Sequence, residues 1–131
     1  MIELILPHPP SLNHFKRVGR LKTTEKGKLY QPKFYTPEAK RFFYEVWLKV
    51  MQERANQGFK FFDDATISLG VYIDLDPPDK RRMDIDNPIK IIFDSLVKAH
   101  LIADDSMITR LLVERKHIIQ GGQIIVRVEQ I

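Results

Sequence analysis

Residues 66–98 read TISLGVYIDLDPPDKRRMDIDNPIKIIFDSLVK. This stretch contains the pattern of a strand, a pair of prolines that would end the strand, and the pattern of a helix. Over 66–75, apolar residues alternate with polar or small ones, which is typical of a half-buried strand. The double proline at 77–78 ends the strand, because proline cannot donate to a sheet ladder. A helix is predicted over about 88–98, with Asn87 as its cap and a proline in its first position. The stretch therefore predicts a strand that leads, through a polar loop, into a helix.

The N-terminal half adds a short strand and a long helix. The strand covers residues 2–6 and ends at a proline-rich segment. The helix begins after Thr36, a suitable cap, and ends before Gly58, which favours the left-handed conformation that closes helices. Its apolar residues recur at helical spacing and are predicted to face the core. They are Ala39, Phe42, Phe43, Val46, Trp47, Val50 and Met51.

Two further strands are predicted near the end of the chain, at about 109–118 and 123–130. Gly121-Gly122 lies between them and predicts a hairpin. The element order is then β-α-β-α-β-β, without repeats, low-complexity tracts or linkers. We therefore predict an α+β fold, a single domain over residues 1–131 with a mixed sheet packed by two helices.

The composition fits one globular domain and excludes several classes of protein. The chain has 131 residues, of which 44% are hydrophobic and 29% charged, and single domains commonly have about 100–200 residues. The lack of cysteine excludes disulfide scaffolds, zinc ribbons and thiol catalysis. The opening MIELILPHPP lacks the features of a signal peptide, and no window approaches the roughly 18 apolar residues of a membrane helix. The expected location is the cytoplasm, without membrane contact.

The net charge of +4 is the sum of unlike parts. Residues 1–62 carry a net charge of +7, residues 63–105 carry −5, and residues 106–131 carry +2. All ten aspartates lie in the middle window and all seven glutamates lie outside it. Solvated helix faces use Glu at least as readily as Asp, which is the poorer helix former. The aspartates therefore indicate turns, caps or a cation site.

The most basic segment, residues 13–35, shows no periodicity and is predicted to be a mobile loop. Its seven basic residues include Lys16, Arg17 and Arg20, and four aromatic residues are interleaved with them. Basic and aromatic side chains together are typical of a nucleic-acid surface. A solvated loop with a few docked aromatics explains the pattern equally well.

One region concentrates reactive groups. Asp84 and Asp86 lie just before the second helix, where an extended backbone would send both side chains to the same side. Lys90 lies in the first turn of that helix, and the return of the chain can bring Asp104 and Asp105 back to them. Two carboxylates about 4 Å apart repel by about 1 kcal/mol in water and about 4 kcal/mol at an effective dielectric of 20. A cation would relieve this repulsion, and oxygen ligands favour Mg²⁺ or Mn²⁺.

The neighbouring cations extend this interpretation. Lys80, Arg81 and Arg82 lie next to the acids, and a basic arm beside a metal pocket is what phosphodiester hydrolysis requires. The alternative is that the aspartates serve only as turns and caps.

Other candidates have structural explanations. Asp74 and Asp76 are expected to be solvated at the end of a strand, and Asp94 is expected to pair with Lys90, four residues earlier. The basic pair Arg115-Lys116 is interpreted as a solvated face, with DNA contact as the lesser alternative.

Several motifs follow one another in this half of the chain: RRMDIDN at 81–87, then Lys90, FDSL at 93–96 and DDS at 104–106. With these motifs the sequence resembles the RusA family of Holliday junction resolvases. The opening LPHPPSLN at 6–13 is also similar to the proline-rich N-terminal segment of that family. Together, in this order and spacing, the motifs are far more specific than any one alone, and the resemblance covers essentially the whole chain.

The resemblance implies a Mg²⁺-dependent endonuclease that acts as a homodimer and nicks four-way DNA junctions symmetrically. Asp84 and Asp86 match the paired catalytic acids of the family, Lys90 its catalytic lysine and Asp105 its third essential acid, with Asp104 beside it. These acids would hold Mg²⁺, for which Mn²⁺ is a possible substitute. Met83 departs from the basic residue that often precedes DxDN in the family, so a DNA contact does not transfer to that position, although Arg81 and Arg82 could compensate.

Two other functions remain open from the sequence. A non-catalytic protein that binds branched or single-stranded DNA would need the basic residues but not the acids. A nuclease of the same chemistry could prefer flaps or replication forks. Dependence of binding on Mg²⁺, and cutting rates on different substrates, would separate them.

Overall fold

The computed structural model of the chain describes residues 1–11 and 15–131. Within them, eight strands and two helices follow one another. They are β1 (Ile2–Pro7), β2 (Lys16–Val18), β3 (Lys22–Thr23), β4 (Leu29–Tyr30), β5 (Lys33–Tyr35), α1 (Pro37–Gln57), β6 (Leu69–Asp76), α2 (Ile89–Lys98), β7 (Ile108–Arg115) and β8 (Gln123–Gln130). The predicted α+β class with a mixed sheet and two helices is confirmed.

The main sheet has the strand order β1-β8-β6-β7. Strand β8 is antiparallel to both β1 and β6, whereas β6 and β7 run parallel. Parallel neighbours need a crossover connection, and the chain segment that contains α2 provides it. One face of β1, β6 and β8 carries alternating buried apolar residues that form the core with the helices.

The predicted hairpin at Gly121-Gly122 is wrong. Strand β6 lies between β7 and β8, so the glycines link two strands that do not pair. Both glycines have positive φ, 80° and 69°, so the tight turn is real, but local turn chemistry does not specify which strand a chain joins. Strand β7 also ends at Arg115, earlier than predicted.

Helix α1 confirms the predicted caps but not the whole predicted core stripe. The Thr36 side chain accepts a hydrogen bond from the Ala39 amide, and Gly58 closes the helix with φ 69°. Trp47, however, is 40% exposed, and its ring stacks on Tyr44 with 6.2 Å between centroids. These two residues are three positions apart and share a helix face, which turns away from the core.

The basic segment contains short strands that the sequence analysis did not predict. Residues 16–35 form two short antiparallel pairs, β2 with β5 and β3 with β4. Phe15 is 3% exposed, and its ring lies 5.4 Å from that of Tyr35 and 6.2 Å from that of Phe43 on α1. The segment is therefore anchored to the core through aromatic contacts. Asn13, part of the predicted loop and of the N-terminal motif, lies outside the described residues.

The start of α2 also differs from the prediction. The helix begins at Ile89, and no side chain caps it, so Asn87 is not its cap. The backbone forms successive turns instead, in which the Asn87 amide donates to the Asp84 carbonyl and the Ile89 amide donates to the Asp86 carbonyl. Helix α2 then packs its buried face, which includes Ile91, against the core.

In the described part of the chain, neither helix has the combination of length and apolar character that crossing a membrane requires.

Candidate active site

The loop between β6 and α2 presents the predicted paired acids to solvent. Asp84 and Asp86 are both exposed, because the turns that precede α2 use their backbone carbonyls and leave their carboxylates outside. They line an open cleft of about 520 Å³ together with Arg82, Ile85 and Arg115, among others.

Arg115 fixes this loop to the sheet. It is the last residue of β7 and lies in register with the buried Leu75 of β6, so its side chain leaves the sheet on the face that carries the helices. Its guanidinium donates a hydrogen bond to the Met83 carbonyl, next to Asp84. Arg115 is exposed, as the sequence analysis expected, but it also makes this contact with the loop. The contact was not predictable from the sequence, because it depends on the pairing of β7 with β6.

Lys90 and Asp105 meet although they are 15 residues apart in the chain. The Lys90 Nζ lies 3.4 Å from Asp105 Oδ2 and 3.0 Å from Asp94 Oδ1, so the predicted pairing of Lys90 with Asp94 is confirmed. Both acids are less exposed than Lys90, whose side chain is 57% exposed. These groups line a second cleft, of about 250 Å³, which includes Tyr35 of the basic segment.

Neighbouring charges and burial shift the pKa values of Lys90 and Tyr35 in this cleft. The hydrogen bond that Lys90 donates to Asp94 raises the pKa of Lys90, burial opposes this, and the negative charges of Asp94 and Asp105 raise it further. Burial raises the pKa of Tyr35, and the Asp94 charge adds to that increase. Near neutral pH the cleft therefore contains a charged ammonium and a neutral phenol.

Asp104 shapes the backbone around Asp105. Its side chain accepts hydrogen bonds from the amide and the hydroxyl of Ser106, which caps a short 3-10 turn over Asp105–Met107. Hydrogen bonds from Ser106 lower the pKa of Asp104. The residue thus holds the turn that positions Asp105 near Lys90.

The predicted acids have the donor chemistry of a Mg²⁺ site but are not gathered into one cage. Carboxylate oxygens are the ligands that this ion prefers, and Asp84, Asp86 and Asp105 supply only these. Among residues 1–11 and 15–131, however, no three Asp, Glu or His side chains are arranged to hold a metal ion. The structure brings Lys90 and Asp105 together and leaves Asp84 and Asp86 in the neighbouring cleft.

The predicted DNA-binding residues near the acids line a basic cleft of about 540 Å³. Lys80, Arg81 and Arg82 lie on one side, and Arg115 and Lys116 at the end of β7 lie on the other. Arg81 is committed to Asp79, with 2.8 Å between Nη2 and Oδ2. Lys80 and Arg82 are exposed and form no ion pair with any other described residue.

The basic segment adjoins the second cleft through Tyr35. The Lys16 ammonium lies 5.2 Å from the centroid of the Tyr35 ring, and the Lys98 ammonium lies 4.8 Å from the same ring. Arg17 and Arg20 are exposed. Their positive charges therefore stand in a segment that touches the residues around Lys90.

Comparison with known proteins identifies the family. Residues 14–129 match the family described as Endodeoxyribonuclease RusA. The chain belongs to the RusA family. One similar relative is the crossover junction endodeoxyribonuclease of Enterobacteria phage HK97, which is 25% identical over 131 residues, with 98% of this chain and 94% of the relative covered. Another is the crossover junction endodeoxyribonuclease of Escherichia coli strain K12, which is 26% identical over 123 residues, with 92% of this chain and 88% of the relative covered. The corresponding protein of Shigella sonnei strain Ss046 is 27% identical over 123 residues, with the same coverage.

By its family, this RusA-family chain is an endodeoxyribonuclease.

Two further aspartates of the chain, outside the candidate site, have structural roles. Asp76 is 4% exposed and accepts hydrogen bonds from the His117 amide and from the Gln123 side chain. Asp74 pairs with Arg127 at 3.0 Å. The prediction that both are merely solvated at a strand end is wrong, because their partners come from β8 and from the segment after β7.

Proposed function

We propose that this chain is a Mg²⁺-dependent endonuclease that resolves four-way DNA junctions by paired symmetric nicks, in DNA recombination and repair. The observation that carries the proposal is the contact of Lys90 with Asp105, beside the loop of Asp84 and Asp86, in a RusA-family chain. The printed names of the relatives, crossover junction endodeoxyribonucleases, support the choice of substrate.

Four acids would hold the metal. Asp84, Asp86 and Asp105 would supply carboxylate oxygens, with Asp104 beside them, and Mn²⁺ is a possible substitute because it accepts the same ligands. When bound, Mg²⁺ lowers the pKa of a water molecule and polarises a phosphate oxygen. Exposure of Asp84 and Asp86 leaves their oxygens open to solvent and to substrate.

Lys90 would stabilise the negative charge that develops on the phosphate during bond cleavage. A fixed cation at that position contributes most in the transition state, where the charge is greatest. Asp94 holds the ammonium at 3.0 Å, and the raised pKa of Lys90 keeps it protonated at neutral pH. Lys90 is therefore assigned to charge stabilisation rather than to removal of a proton.

The basic residues would bind the phosphate backbone on both sides of this centre. Lys80 and Arg82 are available for phosphate contacts, and Arg81 presents a guanidinium already oriented by Asp79. On the other side, the segment that carries Lys16, Arg17 and Arg20 reaches Tyr35 at the second cleft. Cations placed in this way increase affinity for DNA without selecting a sequence.

A homodimer would explain paired nicks. A four-way junction has two-fold symmetry, and two copies of the chain related by a two-fold axis present two equivalent centres. One centre would then cut each of two opposing strands.

The test compares cleavage of a labelled four-way junction, a flap and a linear duplex by the wild-type chain, with Mg²⁺ or with EDTA. We expect nicks at symmetric positions of the junction with Mg²⁺ and at least about tenfold slower cutting of the other two substrates. Faster cutting of the flap would replace junction resolution with flap cleavage. Junction binding without cleavage in Mg²⁺ would identify a non-catalytic binding protein and overturn the proposal.

A further inference from the structure

Two ammonium groups lie close to the phenol ring of Tyr35, which lines the cleft of Lys90 and Asp105. The Lys98 Nζ lies 4.8 Å from the ring centroid, and the Lys16 Nζ lies 5.2 Å from it. Because both contact the same ring, the two ammonium groups are no more than about 10 Å apart. Lys98 also lines the cleft itself.

The pairing of β2 with β5 places Lys16 beside this ring. Lys16 and Tyr35 are directly opposite in register, and paired residues of antiparallel strands point to the same face. The ring is held by the core, because its centroid lies 5.4 Å from that of Phe15 and 4.9 Å from that of Phe43. Tyr35 therefore gives the Lys16 ammonium a defined position beside the cleft.

Lys98, at the end of α2, turns away from the acid of its own helix. Asp94 lies four residues before it, which is the better order for an ion pair between an acid and a lysine on one helix. Asp94 pairs instead with Lys90 at 3.0 Å, and the Lys98 ammonium lies over the rings of Tyr35 and Phe43. An aromatic ring attracts a cation without cancelling its charge.

Neither of the two ammonium groups is neutralised. In the part of the chain that the structure describes, Lys16 and Lys98 form no ion pair with a carboxylate. Both side chains are exposed. Their charges are therefore available to an anion that enters the cleft.

The Tyr35 hydroxyl adds a neutral hydrogen-bond donor. It has no hydrogen-bond partner among the described residues and is not buried, so it reaches solvent. Burial of the residue raises the pKa of Tyr35, the Asp94 charge raises it further, and the Lys90 charge opposes this. The phenol therefore keeps its proton near neutral pH and can donate it in a hydrogen bond.

This arrangement favours an anion beside the ring. Like charges repel, so two neighbouring ammonium groups are stabilised by a negative group that contacts both. The position of Lys98 at the end of α2 also suits the helix dipole, but the dipole does not explain why β2 brings a second ammonium to the same ring. A phosphodiester supplies one negative charge and oxygens that accept hydrogen bonds from all three groups.

We propose that Lys98, Lys16 and the Tyr35 hydroxyl bind one backbone phosphate of the strand that is cut, a few nucleotides from the scissile phosphate. The assignment to the cut strand rests on the proposed function, because Lys90 and Asp105 line the same cleft. Lys98 and Tyr35 are then positioning residues. A strand held at a second phosphate presents the scissile phosphate to Lys90 in a fixed orientation.

The spacing along α2 suits two phosphates of one strand. Lys90 and Lys98 lie near opposite ends of the helix, about 12 Å apart at 1.5 Å per residue. The Lys90 side chain leans toward Lys98, since it contacts Asp94 between them. Successive phosphates of one strand advance by about 3.4 Å along a duplex axis, so the two ammonium groups span a few phosphates.

The test replaces single phosphates of one junction strand near the branch point, one at a time, with neutral methylphosphonates. Affinity is measured in EDTA and nicking in Mg²⁺. For the wild type we expect one position beside the cut at which the neutral group weakens binding at least about fivefold, because a charge-assisted contact is lost. In Lys98→Ala the same replacement should weaken binding less than about twofold, since its partner is already absent.

Equal sensitivity of the wild type and Lys98→Ala at every position overturns the proposal, as does the absence of any sensitive position in the wild type. Lys98→Arg keeps the charge and should keep most of the sensitivity. Lys49→Ala is the matched control, because its ammonium already pairs with Glu53 on α1. It should behave as the wild type does at every position.

Tyr35→Phe separates the hydroxyl from the ring. The variant keeps the packing against Phe15 and Phe43, so its Tm should match that of the wild type. Junction affinity in EDTA should fall about threefold, because one hydrogen bond to a charged group is lost. Wild-type affinity in Tyr35→Phe would overturn the role of the hydroxyl.

Binding in EDTA keeps this outcome separate from that of the proposed function. A position-specific loss of affinity that Lys98→Ala abolishes, without nicking in Mg²⁺, would support the phosphate site and reject the nuclease. Nicking with equal sensitivity in both proteins would do the reverse.

Discussion

At the scale of single residues, the ammonium of Lys90 is the best-defined feature of the candidate site. It lies between Asp94 at 3.0 Å and Asp105 at 3.4 Å. Asp94 is four residues along the same helix, so it holds Lys90 whatever Asp105 does. In the proposed function, Asp94 is therefore the positioning residue for the ammonium, and Asp105 remains available as a metal ligand.

Replacement of Asp94 tests this division. We expect Asp94→Asn to lower the maximal nicking rate by about 10–100-fold, since a small misplacement of a charged group is costly in catalysis. Junction affinity should change less than threefold. Asp63→Asn, an exposed change of the same kind, is the matched control. An unchanged nicking rate in Asp94→Asn would show that Lys90 does not depend on Asp94.

His8 gives a prediction about pH and stability. Burial lowers its pKa from the ordinary value of 6.5, and Asp79 only partly opposes this. Its Nε2 is buried without a hydrogen-bond partner in the described part of the chain. Below about pH 6.5 the unfolded chain therefore binds a proton more readily than the folded chain, so stability falls as the pH drops.

Thermal unfolding at pH 7.5 and 5.5 measures this effect. The decrease in Tm between the two pH values should be smaller in His8→Gln than in the wild type. Equal decreases in both proteins would mean that His8 does not contribute.

At the scale of elements, short-range patterns were predictable and strand partners were not. The alternation in β6 and the caps of α1 follow from neighbouring residues, and both are confirmed. The Gly121-Gly122 turn also forms, yet β6 separates the strands that it joins, because pairing depends on residues about 50 positions away. Trp47 shows the same limit, since its helical spacing is compatible with either face of α1.

The candidate site contains long-range contacts that could not be predicted from the sequence. The motifs around Asp84, Lys90 and Asp105 were recognisable in the chain, but only the fold brings Lys90 to Asp105. The exposure of Arg115 was predictable, but its contact with the Met83 carbonyl was not, because that contact depends on the parallel pairing of β6 and β7.

The contact between β7 and the acidic loop predicts a coupling between two elements. Arg115→Ala should increase amide hydrogen exchange in residues 80–87 and reduce the nicking rate by about tenfold, because the loop loses its hydrogen bond to the sheet. Arg115→Lys keeps the charge and should recover part of the rate. If loss of Arg115 leaves exchange in the loop unchanged, the contact does not position Asp84.

At the scale of the whole molecule, the division of charge separates binding from chemistry. The first half of the chain carries +7 and residues 63–105 carry −5. The fold brings the two parts together at Tyr35, which lines the cleft of Lys90 and Asp105 and contacts Lys16. DNA affinity is thus expected to depend on the basic side chains around the cleft. The acidic side chains are expected to contribute to cleavage instead.

Salt dependence of junction binding tests this separation. Lys80→Ala and Arg82→Ala should each reduce the slope of log affinity against log salt concentration by about 1, the change expected for one phosphate contact. Lys60→Ala is the control on an exposed residue away from the cleft. An unchanged slope in both variants would remove these residues from the DNA surface.

The central claim is metal-dependent junction cleavage by the acidic loop, and one measurement tests it most directly. A labelled four-way junction is incubated with wild-type chain or with Asp84→Asn, in Mg²⁺ or in EDTA, with Asp63→Asn as the matched control. Symmetric nicks are expected for the wild type and the control in Mg²⁺ only, with at least about a hundredfold loss in Asp84→Asn. Cleavage by Asp84→Asn at the wild-type rate, or equal cleavage in EDTA, would contradict the account.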